Sequence, residues 1–219
     1  MSYIPSLNTQ ASALQRGVMS QVYAWMTAGL LVSGAVAAYT VGNAALLSLV
    51  FGNPLVFFAL IIGEVALVIG LSAAIGRLSP TIAALFFMLY AFLNGITLSI
   101  IFLAYTEASI ATTFFVTAGT FGIMSVIGYT TQRDLTGMRH FLVMGLIGFF
   151  IGTIVNIFWA NSVLYWALTY LGIIVFVGLT AADTQQIKRM MQGVVDDASA
   201  GRVAIIGALK LYLDFINLF

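Results

Sequence analysis

Seven apolar runs, each about 17–25 residues long, fill the chain from residue 18 to residue 219: 18–41, 54–76, 80–103, 108–130, 140–160, 163–187 and 203–219. A helix needs about 20 apolar residues to cross the hydrocarbon core of a bilayer. Backbone groups in lipid must find their partners within the protein, so each run is expected to be a helix. The short alternating segments of a membrane barrel are absent. Composition excludes the soluble alternative. Of 219 residues, 62% are hydrophobic and 7% charged, with a mean hydropathy of +1.09. An ordinary globular domain is about 25% charged, and this chain has no comparable polar skin. The expected fold is therefore an all-α membrane protein, a seven-helix transmembrane bundle over residues 18–219 behind a polar tail, 1–17.

The basic residues give that bundle a direction. Arg16 precedes the first run, Arg77 follows the second, Arg133 and Arg139 separate the fourth from the fifth, and Lys188, Arg189 and Arg202 separate the sixth from the seventh. All fall in the tail or in alternate loops, and the remaining loops carry none. Positively charged loops stay in the cytoplasm, so the amino terminus and the 131–139 and 188–202 loops are expected inside. The tail is no cleavable signal, because the apolar run behind it is too long and lacks a convincing cleavage site. Tyr23, Trp25, Trp159 and Trp166 fall near run ends, where aromatic rings favour the interface. The seventh run is short and ends at Phe219 without such an anchor, so the natural chain is expected to continue.

Small residues recur every four positions at Gly29, Ser33 and Ala37 and again at Gly148, Gly152 and Asn156. Such stripes let helices approach closely, and both are read as packing faces. The chain has no cysteine and a single histidine, His140, read as part of a polar loop at the edge of the fifth run. Disulfides, thiolate chemistry and multi-histidine metal sites are excluded. A net charge of +1 gives no reason to expect nucleic acid as a partner.

Ionisable residues within the runs carry the functional information, because each costs about 2.5–3.5 kcal/mol or more at the centre of a membrane. There are four: Glu64, Asp183, Lys210 and Asp214. Asp183 lies near the inner end of the sixth run and Asp214 within the seventh. These consecutive helices are antiparallel, so the two carboxyls would meet at one depth if the sixth helix runs a turn or two past Asp183, with Lys188 and Arg189 on its extension. Two carboxylates in contact away from water do not both stay ionised; they share a proton and titrate as a unit. Protonated, they clasp two helices. Deprotonated, they repel and offer hard oxygen ligands suited to Ca²⁺. The residues alone leave plainer readings open. Asp183 would pair with Lys188 or Arg189 at the interface, and Asp214 with Lys210, one helical turn away. Glu64 is either a neutral acid bonded to Asn94 or Asn156, or faces a polar cavity. Arg77 is either a topology anchor or a partner for the Asp183 region.

Two segments carry a resemblance: Gly178-Leu179-Thr180-Ala181-Ala182-Asp183-Thr184-Gln185, and Gly207-Ala208-Leu209-Lys210-Leu211-Tyr212-Leu213-Asp214-Phe215-Ile216-Asn217-Leu218-Phe219. With Gly95-Ile96-Thr97-Leu98-Ser99, Gly128-Tyr129-Thr130-Thr131 and Arg133-Asp134-Leu135, they closely resemble the Bax inhibitor-1 family over residues 18–219, in its bacterial inner-membrane branch. The resemblance implies seven helices with the seventh central. It implies a pH-sensitive Ca²⁺ leak controlled by an aspartate pair at the positions of Asp183 and Asp214, which would also be the place where Ca²⁺ binds. It further implies an arginine on the second helix that interacts with the pair, for which Arg77 is the candidate. Lys210 departs from the small or neutral residue of the family. A cation one turn from Asp214 would favour the ionised pair and weaken the clasp.

The implied partners are the bilayer, protons and calcium ions, and no cofactor is expected. An intramembrane aspartyl protease would also use two aspartates on adjacent helices. Its Tyr-Asp and Gly-x-Gly-Asp contexts and later Pro-Ala-Leu segment are missing, so no enzyme activity is expected. The alternative is a membrane-embedded regulator in protein quality control or stress response that contacts other membrane proteins and passes no ion itself.

Overall fold

The structure, a computed structural model, describes residues 7–219, with side chains from residue 17. The first six residues of the expected tail and the side chain of Arg16 lie outside what is described. Among those described, the chain forms eight helices: α1 Leu7–Val41, α2 Ala44–Phe51, α3 Pro54–Ala74, α4 Pro80–Ala104, α5 Glu107–Thr130, α6 Thr136–Phe158, α7 Ser162–Met191 and α8 Asp197–Leu218. Six of them, α1 and α3 to α7, are long and apolar enough to cross a membrane. α8 has the length but carries Asp197, Arg202, Lys210 and Asp214, and those charges set it apart from the other six.

Local chemistry fixes where the helices start. The Asn43 side chain accepts hydrogen bonds from the backbone N–H groups of Ala45 and Leu46, that of Asn53 from Leu55, and Ser79 from Ile82. Pro54 and Pro80 then occupy the first helical turn, where a missing N–H costs nothing. α2 was not expected. It is an eight-residue apolar helix between Asn43 and Gly52, too short to span.

Three helices reach past the ends of their apolar runs. α6 begins at Thr136, so Arg139 and His140 sit in helix and not in a loop. α7 continues to Met191, two turns past Asp183, with Lys188 and Arg189 in its last turn. Cations there complement the negative end of the helix dipole. α8 begins at Asp197, ahead of its apolar run.

The chain divides into two compact units. One comprises the residues up to 112 together with 191–212, and the other 113–190 with 213–219. In the first unit α1 lies along α4, and α3 packs on α4. The Gly29, Ser33, Ala37 stripe is an interface, as its spacing implied. A Cβ on Gly95 would come within 2.6 Å of the Ser33 carbonyl oxygen, so the backbones of α1 and α4 touch there. Phe87 and Tyr90 pack edge-on against Tyr212 of α8. In the second unit, the Gly148, Gly152, Asn156 stripe is only partly an interface. Gly152 meets the Leu168 side chain, whereas Gly148 faces open space.

Large apolar side chains cover the outside of the six spanning helices. Leu142 is the single buried residue of α6, and Glu64 and Leu71 those of α3. Trp159 and Trp166, at the α6–α7 turn, are exposed as an interfacial belt requires.

Candidate functional site

Asp183 sits in the second unit on α7, 6% exposed. Its neighbourhood is set by a close approach of two backbones. A Cβ on Gly128 would lie 2.2 Å from the Ala181 carbonyl oxygen, so α5 and α7 touch two residues from Asp183. Thr180 and Thr184, on either side, donate back to the carbonyls of Phe176 and Thr180, which consumes their hydroxyl protons within the helix.

The charge partner of Asp183 is Arg139. Its Nε donates to Asp183 Oδ1 at 2.6 Å, from the first turn of α6. The Arg139 side chain retains 27% exposure and that of Asp183 9%, so the pair is half-sheltered. Lys188 and Arg189, the interfacial alternatives, turn elsewhere. Lys188 Nζ donates to the Tyr129 carbonyl at 2.7 Å and stands 5.0 Å from the centre of the Tyr129 ring. Arg189 bonds Asp134 at 2.6 Å and the Gln185 side chain at 2.8 Å.

Gln185 in turn holds the α5–α6 connection onto α7. It accepts from Leu135 N–H and donates to the Arg133 carbonyl. The Thr136 hydroxyl and the Arg189 guanidinium keep the Asp134 carboxyl well below the usual carboxylate range. This scaffold delivers Arg139 to Asp183.

Asp214, on α8, is 5% exposed and belongs to the same unit as Asp183. Phe215, next to it, packs edge-on against Phe114 and Phe121 of α5. Lys210 is half-buried on α8, in the first unit. Arg77 is exposed in the turn after α3, its N–H bonded to the Ala74 carbonyl. His140 lines a small pocket of 230 Å³ with Arg139, Gln185 and Arg189. Among the described residues no three acidic, histidine or cysteine side chains gather as a metal site would require.

Glu64 occupies a separate polar centre in the first unit. One carboxyl oxygen accepts from the Thr97 hydroxyl and the other from Asn94 Nδ2 at 3.2 Å. The sequence reading that joined Glu64 to Asn94 therefore describes the contact, and Asn156 accepts from the Asn161 N–H at the α6–α7 turn. The network continues inward. Tyr212 donates to Asn94 Oδ1 at 2.8 Å, and Ser33 lies 2.6 Å from the Tyr212 hydroxyl and 2.7 Å from the Ala91 carbonyl. Four helices, α1, α3, α4 and α8, meet in one chain of hydrogen bonds.

Sequence reasoning missed Arg139 and Tyr212. Arg139 was assigned to a loop, though Asp134 and Thr136 before it are helix-start residues. Tyr212 gave no signal beyond its place in a motif.

A helical membrane protein with a half-sheltered ion pair near one end of its helices and a second polar centre in a separate unit is the class so defined. Residues 15–219 match the family described as "Inhibitor of apoptosis-promoting Bax1", and the chain belongs to this Bax inhibitor-1 family. It is 52% identical over 203 residues to the inner membrane protein YbhL of Escherichia coli K12, covering 92% of this chain and 87% of that one. It is 43% identical over 211 residues to a protein of Borreliella burgdorferi, covering 96% and 91% respectively. A Rickettsia prowazekii protein is 42% identical over 207 residues, covering 93% and 86%.

Proposed function

We propose that this protein is a pH-sensitive Ca²⁺ leak path of the bacterial inner membrane, gated by Asp183 and Asp214, with α8 as its central seventh span and the amino terminus in the cytoplasm. The observation that carries the reading is the burial of both aspartates in one unit, one of them held by a guanidinium. Buried intramembrane carboxyls are expensive to keep without a use. Shared-proton coupling between them gives the pH response. Arg139 is the tuning cation in this reading, in place of Arg77. Two carboxylates fall short of the six to eight oxygens of a tight calcium site, which suits an ion that passes. Burial along α8 from Ala204 to Phe215 supports its central place.

Purified protein in liposomes loaded with a Ca²⁺ dye tests the function. Leak should rise with pH in the wild type and lose most of that dependence in Asp183→Asn and in Asp214→Asn. Wild-type pH dependence in both variants would refute the gate. Absence of flux from wild type alone would favour a regulator acting through membrane-protein partners. Orientation is tested in the naturally cysteine-free chain: a cysteine at position 136 should react with an impermeant thiol reagent only from the cytoplasmic face.

A further inference from the structure

The second unit contains a cavity of about 550 Å³ that none of the residues discussed so far explains. It lies between α5, α6 and α7 and the end of α8, toward the α6–α7 turn and so away from the basic α5–α6 connection. Apolar side chains such as Val116, Leu168 and Ile173 make most of its wall, but Thr113, Thr117, Thr120, Thr153, Asn156 and Asn217 also line it, and no charged side chain does.

The lining oxygens are the informative part. Thr113, Thr117 and Thr120 recur on one face of α5, and none bonds to another described residue, although Thr117 is only 4% exposed. A hydroxyl left without a partner in a membrane span is costly unless water reaches it. Thr153 and Asn217 spend their protons on the carbonyls of Phe149 and Leu213. Their oxygens keep lone pairs for the cavity. A space of this size with several polar groups in its wall is large enough for water. Neutral hydroxyl and amide oxygens receive a hard cation without trapping it.

The floor of the cavity is apolar. Phe149, Phe176 and Leu218 line it and also belong to the apolar cluster of Leu142, Val175, Phe176 and Leu179. Past this cluster the chemistry turns polar again. Asp183 follows Leu179 by one turn of α7, and lies roughly 10 Å along the helix from Phe176 at about 1.5 Å per residue. Arg139 precedes Leu142 by one turn of α6 and lines the 230 Å³ pocket on the far side.

We infer that the threonine-lined cavity is a water-filled vestibule for a small hydrated cation, and that the cluster at its floor is a hydrophobic septum separating it from the Arg139–Asp183 pair. An apolar constriction of this kind blocks ions by excluding water. The identity of the permeant ion rests on the leak reading; the water path does not.

Single cysteines at Thr117 and Thr120, near-isosteric replacements in the full cysteine-free chain, test the vestibule in sealed membrane vesicles of known orientation. Both should react with a charged, impermeant thiol reagent from the face opposite the Arg133–Arg139 connection, at least tenfold faster than a cysteine at Val175 in the septum. Val175→Thr, which keeps shape and adds a hydroxyl, and Phe176→Ala should each raise Ca²⁺ leak in liposomes several-fold at fixed pH. Reaction at 117 and 120 with a membrane-permeant reagent alone would make the cavity a lipid-facing groove and overturn the inference. So would unchanged leak in both septum variants of a wild type that does leak. Charged-reagent labelling as expected, with no leak from wild type or variants, would support the vestibule while retiring the leak reading.

Discussion

Arg139 and Asp183 join the first turn of α6 to α7 through a single 2.6 Å contact, across 44 residues of chain. The contact exists because α6 starts at Thr136 and because Gln185 and Arg189 clamp the preceding connection to the same helix that carries Asp183.

Replacing Arg139 by Gln removes the guanidinium and leaves Asp183 sheltered without it. Breaking a fully buried pair costs about 3–5 kcal/mol. With Arg139 27% exposed, solvent screening reduces this to about 1–3 kcal/mol. On the proposed leak reading, loss of this cation should change Ca²⁺ flux measured at fixed pH. Arg139→Lys should restore part of both. Flux unchanged in the Gln variant, measured in the same liposomes, removes Arg139 from the proposed gate.

Gly128→Ala places a methyl group where the Ala181 carbonyl already stands. Over-packing in a tight interface costs about 1–3 kcal/mol, and here the obstacle is backbone, which does not rotate aside. The variant should unfold at a lower temperature in detergent than Gly148→Ala, where a Cβ meets open space. Equal melting temperatures would mean that α5 and α7 do not touch in solution.

Asp134 supplies the pH prediction outside the membrane. Its folded-state proton affinity is depressed, so its contribution to stability is complete above the unfolded carboxylate range of ~3.9. That contribution is lost only as pH falls through the lower folded value. Hydrogen-exchange protection of the Thr136 amide should therefore be flat from pH 5 to 8, after correction for intrinsic rates. Asp134→Asn should lower protection throughout that window. A wild-type loss of protection between pH 6 and 7 would contradict the Asp134–Arg189 pin.

Tyr212→Phe deletes the hydroxyl between Asn94 and Ser33 while keeping the ring against Phe87 and Tyr90. Interhelical hydrogen bonds in membranes average about 0.6 kcal/mol and reach about 1.7. The loss should approach the upper figure, because Asn94 Oδ1 and Ser33 both forfeit a partner. Steric trapping or denaturant titration in mixed micelles gives the number. A cost near zero would show that water replaces the phenol.

Much of this was legible in the chain. The apolar runs mark every long helix, the ionisable residues mark both polar centres, and Glu64 finds one of the two asparagines proposed for it. α7 also passes Asp183 as required for Lys188 and Arg189 to lie on its extension. The rest was hidden for a physical reason. In a soluble helix the buried face is the apolar one, and periodicity reveals it. Here lipid and protein interior select the same residues, so nothing in the runs told which side of α6 meets α7, or that Arg139 rather than Lys188 or Arg189 would reach Asp183. Cavities are harder still: Thr113, Thr117 and Thr120 read as tolerated polar residues of an apolar helix until α6 and α7 are placed beside them.

Glu64 has a role in construction. α3 is apolar on every side except at this carboxyl and Ser72. A uniformly greasy rod in lipid has almost no energetic preference for its rotation about its own axis. Hydrogen bonds from Asn94 and Thr97 supply one, because only a narrow range of azimuths brings the carboxyl to both donors. Glu64 thus works as the index pin of the helix: with leucine in its place α3 should still insert, held at its azimuth only by packing such as that of Leu71, and cross-links from its two sides to α4 should discriminate less than in the wild type.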